Sequence, residues 1–189
     1  MLNVHALLEA SEVNGPGRRG VIWLQGCPRR CPGCCNPDAQ PIEPRQLLTA
    51  LQLFAWAQAL PGIEGLTITG GEPLLQALPL AAFLRLLRTH TDLSVVLYTG
   101  YLLEEVRALP GGQDVLSLID VLVDGPYDCS QPATDGLRGS LNQRIHLLTS
   151  RYTPADFHLG LRFEVIIAPD GTIIRTGVTA ASKYGPQGP

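Results

Sequence analysis

Charge is scarce in this sequence: Asp, Glu, Lys and Arg make up 16% of its 189 residues, and the formal net charge is only -3. Such a weak acidic balance, with a pI near 5.8, leaves no electrostatic footprint for nucleic acid or anionic lipid, so neither is an expected partner. Long apolar runs are also missing, and with them any segment of the roughly 20 residues that a membrane-spanning helix needs. The opening MLNVHALLEASEVNG has no basic run ahead of its apolar residues and contains two glutamates, which argues against a secretory signal. A cytoplasmic location is therefore expected. The sequence has no internal repeat and no low-complexity segment. His5, His90, His146 and His158 are scattered without ligand spacing and do not read as metal ligands.

What the chain does have is apolar content, 45%, distributed in short runs. VIWL (21–24), LTIT (66–69), SVVLY (94–98) and VLV (121–123) read as strands. Amphipathic stretches separate them. A helix is expected from near Pro44 to Leu60, with Leu47, Leu48, Leu51, Phe54, Ala55 and Leu60 on one face and Pro61-Gly62 stopping it. A second should span about Leu78 to His90, with Leu80, Phe83, Leu84 and Leu87 inward and Arg85 and Arg88 outward. A third covers Leu102 to Leu109 and ends at Pro110-Gly111-Gly112. Alternating strands and helices imply parallel strands joined by right-handed crossovers, an α/β sheet or an incomplete barrel, because a closed eight-stranded barrel typically needs about 250 residues. FEVIIAPDGTIIR (163–175) reads as a β-hairpin around Pro169-Asp170-Gly171. The expected organisation is one domain over 1–182, with a motif-bearing core at 10–148, a hairpin extension at 150–178 and a loose tail at 183–189.

Of five cysteines, Cys27, Cys31, Cys34 and Cys35 crowd into the stretch GCPRRCPGCCN (26–36), directly after the first of those strands. In a reducing compartment, clustered cysteines bind metal more often than they form disulfides. The spacing C-x3-C-x2-C lets three thiolates hold three corners of a cubane, whereas an electron-transfer [4Fe-4S] centre usually has four. The fourth iron would be open, and an open coordination position is what separates a catalytic metal site from a structural one. Two other readings stay open at this point. One is a zinc knot using Cys27, Cys31, Cys34 and Cys35, for which adjacent side chains would have to converge on one ion. The other is a merely buried thiol group. Cys129 stands apart and reads as a small structural residue.

Elsewhere TGGEP (69–73) falls where a strand should end, and strand C-termini are where parallel α/β folds assemble their sites, although taken alone the block reads equally as a tight strand-to-helix turn with a helix-starting glutamate. Thr99 and Gly100, and Asp124 and Gly125, end the next two strands at the same rim. Arg138, Ser140, Asn142 and Gln143 form a polar group in an apolar chain.

In this order NGPGR (14–18), GCPRRCPGCCNP (26–37), TGGEPL (69–74), YTGY (98–101), DVLVDG (120–125) and RGSLNQ (138–143) resemble the radical S-adenosylmethionine superfamily. More narrowly they resemble activating enzymes of glycyl radical enzymes, especially anaerobic ribonucleotide reductase activators. The resemblance implies an incomplete parallel (β/α) barrel of the radical SAM type, and a [4Fe-4S] cluster on Cys27, Cys31 and Cys34 as the catalytic centre. It further implies S-adenosylmethionine at Gly33, Cys34, Cys35, Gly70, Gly71, Glu72, Thr99 and Asp124, with Glu72 meeting the ligand's amino group. It implies an oxidoreductase with a glycyl radical enzyme as protein substrate and a flavodoxin- or ferredoxin-type electron donor. Cys35 departs from the pattern, since the subgroup tends to have an aromatic residue there. Two rivals are a radical enzyme acting on a small molecule or peptide, and a metal-binding or electron-transfer module without catalysis.

Overall fold

A computed structural model describes residues 1–133, 137–157, 163–167, 171 and 173–177. His158, the Pro169-Asp170 turn and the tail at 183–189 lie outside the described residues. In chain order the elements are β1 (Leu2–Ser11), β2 (Arg19–Leu24), β3 (Gln46–Leu48), α1 (Ala50–Ala59), β4 (Gly65–Gly70), α2 (Ala77–His90), β5 (Ser94–Tyr98), α3 (Leu103–Ala108), α4 (Gly112–Leu116), β6 (Val121–Asp124), β7 (Arg144–Leu147), β8 (Phe163–Ile167) and β9 (Ile173–Gly177). The main sheet is mixed, in the order β3-β1-β2-β4-β5-β6-β7, and β8 and β9 form a separate hairpin. Its centre, β2-β4-β5-β6, is parallel. Those are the four strands expected from sequence, and each is buried along nearly its whole length, as strands covered on both faces should be.

Period-two alternation splits the side chains of these strands into two layers. Ile22, Leu24, Leu66, Ile68, Val95, Leu97 and Leu122 pack against Leu53 and Phe54 of α1 and Leu80, Phe83, Leu84 and Leu87 of α2. The alternate residues Val96, Val121 and Val123 meet Leu137 and Phe157 on the other face. Near the strand ends that second face carries Trp23, Thr69 and Tyr98, which line a cavity. Helices thus cover one side of the sheet, and the site lies on the other.

The second helix has the expected inward stripe, and Arg85 stays exposed. Three expectations need correction. The helix placed from Pro44 starts at Ala50, because Thr49 and Gln52 form a capping box there. Gln46–Leu48 instead adds an edge strand to β1, and the buried face of α1 is Leu53, Phe54 and Ala57, with Leu51 exposed. Pro110-Gly111-Gly112 does not simply end a helix: Gly111, at φ +79°, turns the chain straight into α4. Finally, β1 and β7 are strands that the pattern did not reveal. In β1 the register shifts between Val4 and Ala6 and again between Leu8 and Ser11, and such bulges erase the alternation by which a strand is recognised.

Asp120, at the foot of β6, ties three elements together. Its carboxylate accepts from Arg88 Nη2 of α2 at 2.7 Å, Val95 N of β5 at 2.8 Å and Thr149 Oγ1 at 2.8 Å. Burial alone would raise its pKa, but these partners overcome it and hold the carboxyl below its ordinary value. A depressed carboxyl stabilises the fold above its unfolded pKa, and that contribution is lost as pH falls through the folded value. Urea unfolding at pH 7 and at pH 3 should therefore show a smaller acid-induced loss in Asp120→Asn than in the parent, with the variant already weaker at pH 7.

Candidate active site around the cysteine loop

The loop after β2 is shaped before any ligand is considered. Gly26 N donates to Ala39 O at 2.8 Å and Cys27 N to Gln40 O at 2.9 Å, so the loop closes on the 3-10 turn Pro37–Ala39. Between Cys27 and Cys31, Arg30 has φ +48°, the one positive φ outside glycine among the described residues. A side chain held in that region costs roughly 1–3 kcal/mol and marks a loop fixed by its surroundings. Cys27, Cys31 and Cys34 are half-buried free thiols, and Cys35 and Cys129 are more exposed. Burial pushes the Cys27 thiol up. Cys34 is drawn down to about 6 by a hydrogen bond from the Cys35 thiol, against burial and with help from Asn36 N–H, and Cys35 is correspondingly raised.

The second wall is the TGGEP turn. Gly71 N donates to Leu24 O at 2.7 Å and Glu72 N to Gly26 O at 2.8 Å, which joins this turn to the root of the cysteine loop. A Cβ on Gly71 would sit 2.4 Å from Gly26 O and 2.6 Å from Ala39 O, both backbone atoms, so glycine is required for the two loops to lie this close. Glu72 is 1% exposed. Its Oε1 accepts from Thr99 Oγ1 at 2.7 Å and Leu74 N at 3.0 Å, and its Oε2 from Gly100 N at 2.8 Å. Burial raises its pKa while these donors pull it down. Glu72 is therefore a strut between the ends of β4 and β5, with its acceptor capacity largely used inside the chain. Its expected role of meeting a ligand's ammonium has to share that carboxylate with three internal donors.

Cys27, Cys31, Cys34 and Cys35 face Gly70, Gly71, Glu72, Thr99 and Gly100 across a cavity of about 370 Å³, within the size range of small-ligand sites. The elements that sequence brought to one rim do meet there, with two exceptions. Gly33, at φ +69°, is not among the residues lining the cavity, and its Cβ position lies 3.2 Å from Cys129 Cβ. Asp124 does not line the cavity either, although its neighbour Gly125 does. Its fully buried carboxylate is taken by Arg144 Nε at 3.0 Å and Nη2 at 2.6 Å and by Leu103 N at 2.6 Å. It ties β7 and the start of α3 to β6.

Other contributors were given no place in the site from sequence, although Gln143, Asn14 and Arg29 fall in the motifs quoted above. His5 lines the cavity, with Nδ1 2.7 Å from Gln25 Oε1. Gln143 accepts from Gly139 N at 2.8 Å and donates to Gly125 O at 3.1 Å, bracing the far wall. Ile174 and Thr176 of β9 close another side, where Asn14 Nδ2 donates to Thr176 Oγ1 at 2.7 Å. Arg29, on the cysteine loop between Cys27 and Cys31, approaches Gly100 near the Glu72 carboxylate. Its guanidinium stacks over Tyr101, 4.4 Å from the ring centre, and Nη2 is 3.4 Å from Glu105. Its Nε is buried without a hydrogen-bond partner. An orphaned donor in a cavity wall fits a ligand that brings an acceptor, such as a carboxylate.

Among the described residues no three His, Cys, Asp or Glu side chains converge closely enough to hold one metal ion. A zinc knot would gather its thiols on one ion, whereas a cubane takes its cysteines at separate irons.

Comparison with known proteins defines the class. A family model described as a 4Fe-4S single cluster domain matches residues 13–146. Relatives named anaerobic ribonucleoside-triphosphate reductase-activating protein include that of Enterobacteria phage T4, 32% identical over 76% of this chain and 93% of its own. Those of Vibrio cholerae and Escherichia coli are 35% and 32% identical, each over 78% of this chain and 99% of its own. The chain belongs to the 4Fe-4S single cluster domain family, among the anaerobic ribonucleoside-triphosphate reductase-activating proteins. The β8–β9 hairpin lies beyond the matched 13–146 region. No helix among the described residues is long and apolar enough to cross a membrane.

Proposed function

We propose that Cys27, Cys31 and Cys34 hold a site-differentiated [4Fe-4S] cluster and that the cavity beside them takes S-adenosylmethionine. In this reading the protein is an activating enzyme that installs a glycyl radical on a partner such as anaerobic ribonucleotide reductase. One observation carries it: three half-buried thiols, the TGG stretch with Glu72, and Arg29, whose buried Nε has no partner, line one cavity at the C-terminal ends of parallel strands. When bound, the cluster supplies the electron that cleaves the sulfonium of S-adenosylmethionine to methionine and a 5'-deoxyadenosyl radical.

The chain's own residues bind, orient and exclude water. Gly70 and Gly71 let a ligand approach the backbone, and Thr99 and Glu72 fix the rim against which it rests. Arg29, whose Nε is without a partner, would donate to the ligand's carboxylate. Cys35 occupies the cavity wall where the subgroup tends to have an aromatic residue. Helices on one face and a polar-rimmed cavity on the other suit an incomplete barrel whose interior is the site. A single domain over 1–182, a cytoplasmic location and a flavodoxin- or ferredoxin-type donor complete the reading.

Anaerobic reconstitution with iron and sulfide, followed by dithionite and S-adenosylmethionine, should release 5'-deoxyadenosine detectable by chromatography. A protein that holds a full cluster and releases none would be an electron-transfer module instead.

A further inference from the structure

The first bulge of β1 falls on a histidine at the cavity. In the pairing with β2, Val4 lies opposite Leu24 and Ala6 opposite Trp23, so His5 is the extra residue. Side chains of a regular strand alternate between its faces. Here Val4 and Leu7 pack into the helix-side core, whereas His5 and Ala6, adjacent in sequence, both line the cavity. Counted back from Leu7, unbroken alternation would put Ala6 on the cavity face and His5 in the core, so the bulge is what brings the imidazole to the site.

The ring's tautomer is set by a relay. Gln25, 2% exposed, donates through Nε2 to Pro41 O at 2.7 Å, which leaves its amide oxygen to meet His5 Nδ1, also at 2.7 Å. An amide oxygen only accepts, so Nδ1 carries the proton, and in the neutral ring Nε2 is the acceptor. Acceptors are scarce around this cavity. The Glu72 carboxylate already serves Thr99, Leu74 and Gly100, and that of Asp124 is taken by Arg144 and Leu103. A ligand rich in donors therefore needs another partner.

We propose that His5 is a ligand-binding residue of this site, accepting through Nε2 a hydrogen bond from an N–H or O–H group of S-adenosylmethionine. This rests on the cofactor reading above. Two parts of the ligand carry such donors, the methionyl ammonium and the nucleoside half.

The test is equilibrium binding of S-adenosylmethionine, methionine and 5'-methylthioadenosine to reconstituted parent, His5→Ala and His5→Gln, without reductant so that nothing is cleaved. Iron and sulfide are measured in each. Full clusters are expected throughout, with S-adenosylmethionine bound about tenfold more weakly by His5→Ala. His5→Gln should recover part of the loss, because its side chain is long enough to set an amide oxygen near the Nε2 position. A loss repeated with methionine assigns the donor to the ammonium, and one repeated with 5'-methylthioadenosine assigns it to the nucleoside. Should His5→Ala fail to load a cluster, His5→Phe, which fills the space without an acceptor, takes its place. Equal affinity for S-adenosylmethionine in parent and variant at full iron content overturns the proposal and leaves the cofactor reading intact. An equal loss in His5→Ala and His5→Gln overturns it too, by making the ring a support for Gln25. A parent that binds no S-adenosylmethionine contradicts the reading beneath, and the parent's binding curve alone reveals that.

Discussion

Replacing Cys27, Cys31 or Cys34 singly by alanine is expected to abolish the cluster, and with it all release of 5'-deoxyadenosine, while Cys35→Ala and Cys129→Ala retain full iron. The three motif thiols sit half-exposed on a loop whose path is set by backbone bonds at Gly26 and Cys27 and by the turn at 37–39. Their removal therefore takes away ligands without opening the core. A cubane left with two protein thiolates loses iron readily, so the effect is close to all-or-none. Cys35 lines the same cavity but stands outside the C-x3-C-x2-C spacing, and its Sγ accepts from Asn36 Nδ2 at 3.6 Å. Cys129 lies against Gly33 and does not line the cavity. Iron and sulfide content with the visible charge-transfer absorption decides the point. Retention of iron without Cys31 but not without Cys35 would reverse the assignment.

Glu72→Ala should weaken the protein in two separable ways. Removing the carboxylate strips the acceptor from two backbone N–H groups, Leu74 and Gly100, and from the Thr99 hydroxyl. Each buried donor left without a partner costs about 1–3 kcal/mol, so a loss of at least ~3 kcal/mol in chemical denaturation is expected. The same change releases the end of β5 from the end of β4 at the cavity rim, so affinity for S-adenosylmethionine should fall by at least tenfold in the cluster-loaded protein. Iron content should hold, because Glu72 touches the cysteine loop through its backbone N–H, which alanine keeps. Glu72→Gln should recover part of the stability, since an amide oxygen can still accept from Thr99 and Leu74, but its NH₂ group opposes Gly100 N–H. Unchanged stability in Glu72→Ala would mean that the strut is not made, and unchanged affinity would remove the TGGEP turn from the ligand site.

Much of this arrangement can be read from sequence where a local pattern has one physical meaning. The strands β2, β4, β5 and β6 are short apolar runs buried on both faces, and α2 carries a clean inward stripe. The cysteine loop is legible because its ligand spacing is a local property of the chain. What escapes is set by partners far along the chain. Nothing near Asp124 reveals that Arg144 claims its carboxylate, and nothing near Glu72 reveals Thr99 and Gly100. Arg29 looks like a charged loop residue until Tyr101 and Glu105 hold it at the cavity wall. Likewise, the capping box at Thr49 was hidden behind the more conspicuous Pro44, and the bulges of β1 disguised a ten-residue strand.

In the function proposed above, a radical formed in this cavity would pass to a glycine of a partner enzyme. A protein substrate must bring its backbone to the site, which requires the cavity mouth to admit a peptide loop beside Glu72 and the β8–β9 hairpin. The most direct measurement is anaerobic mixing of the reconstituted protein, S-adenosylmethionine and reductant with a glycyl radical enzyme from the same organism, read by electron paramagnetic resonance. A glycine-centred doublet that disappears with Cys31→Ala is the predicted result. Release of 5'-deoxyadenosine without a doublet on any such enzyme of that organism would contradict the claim and point to a small molecule or peptide as the substrate.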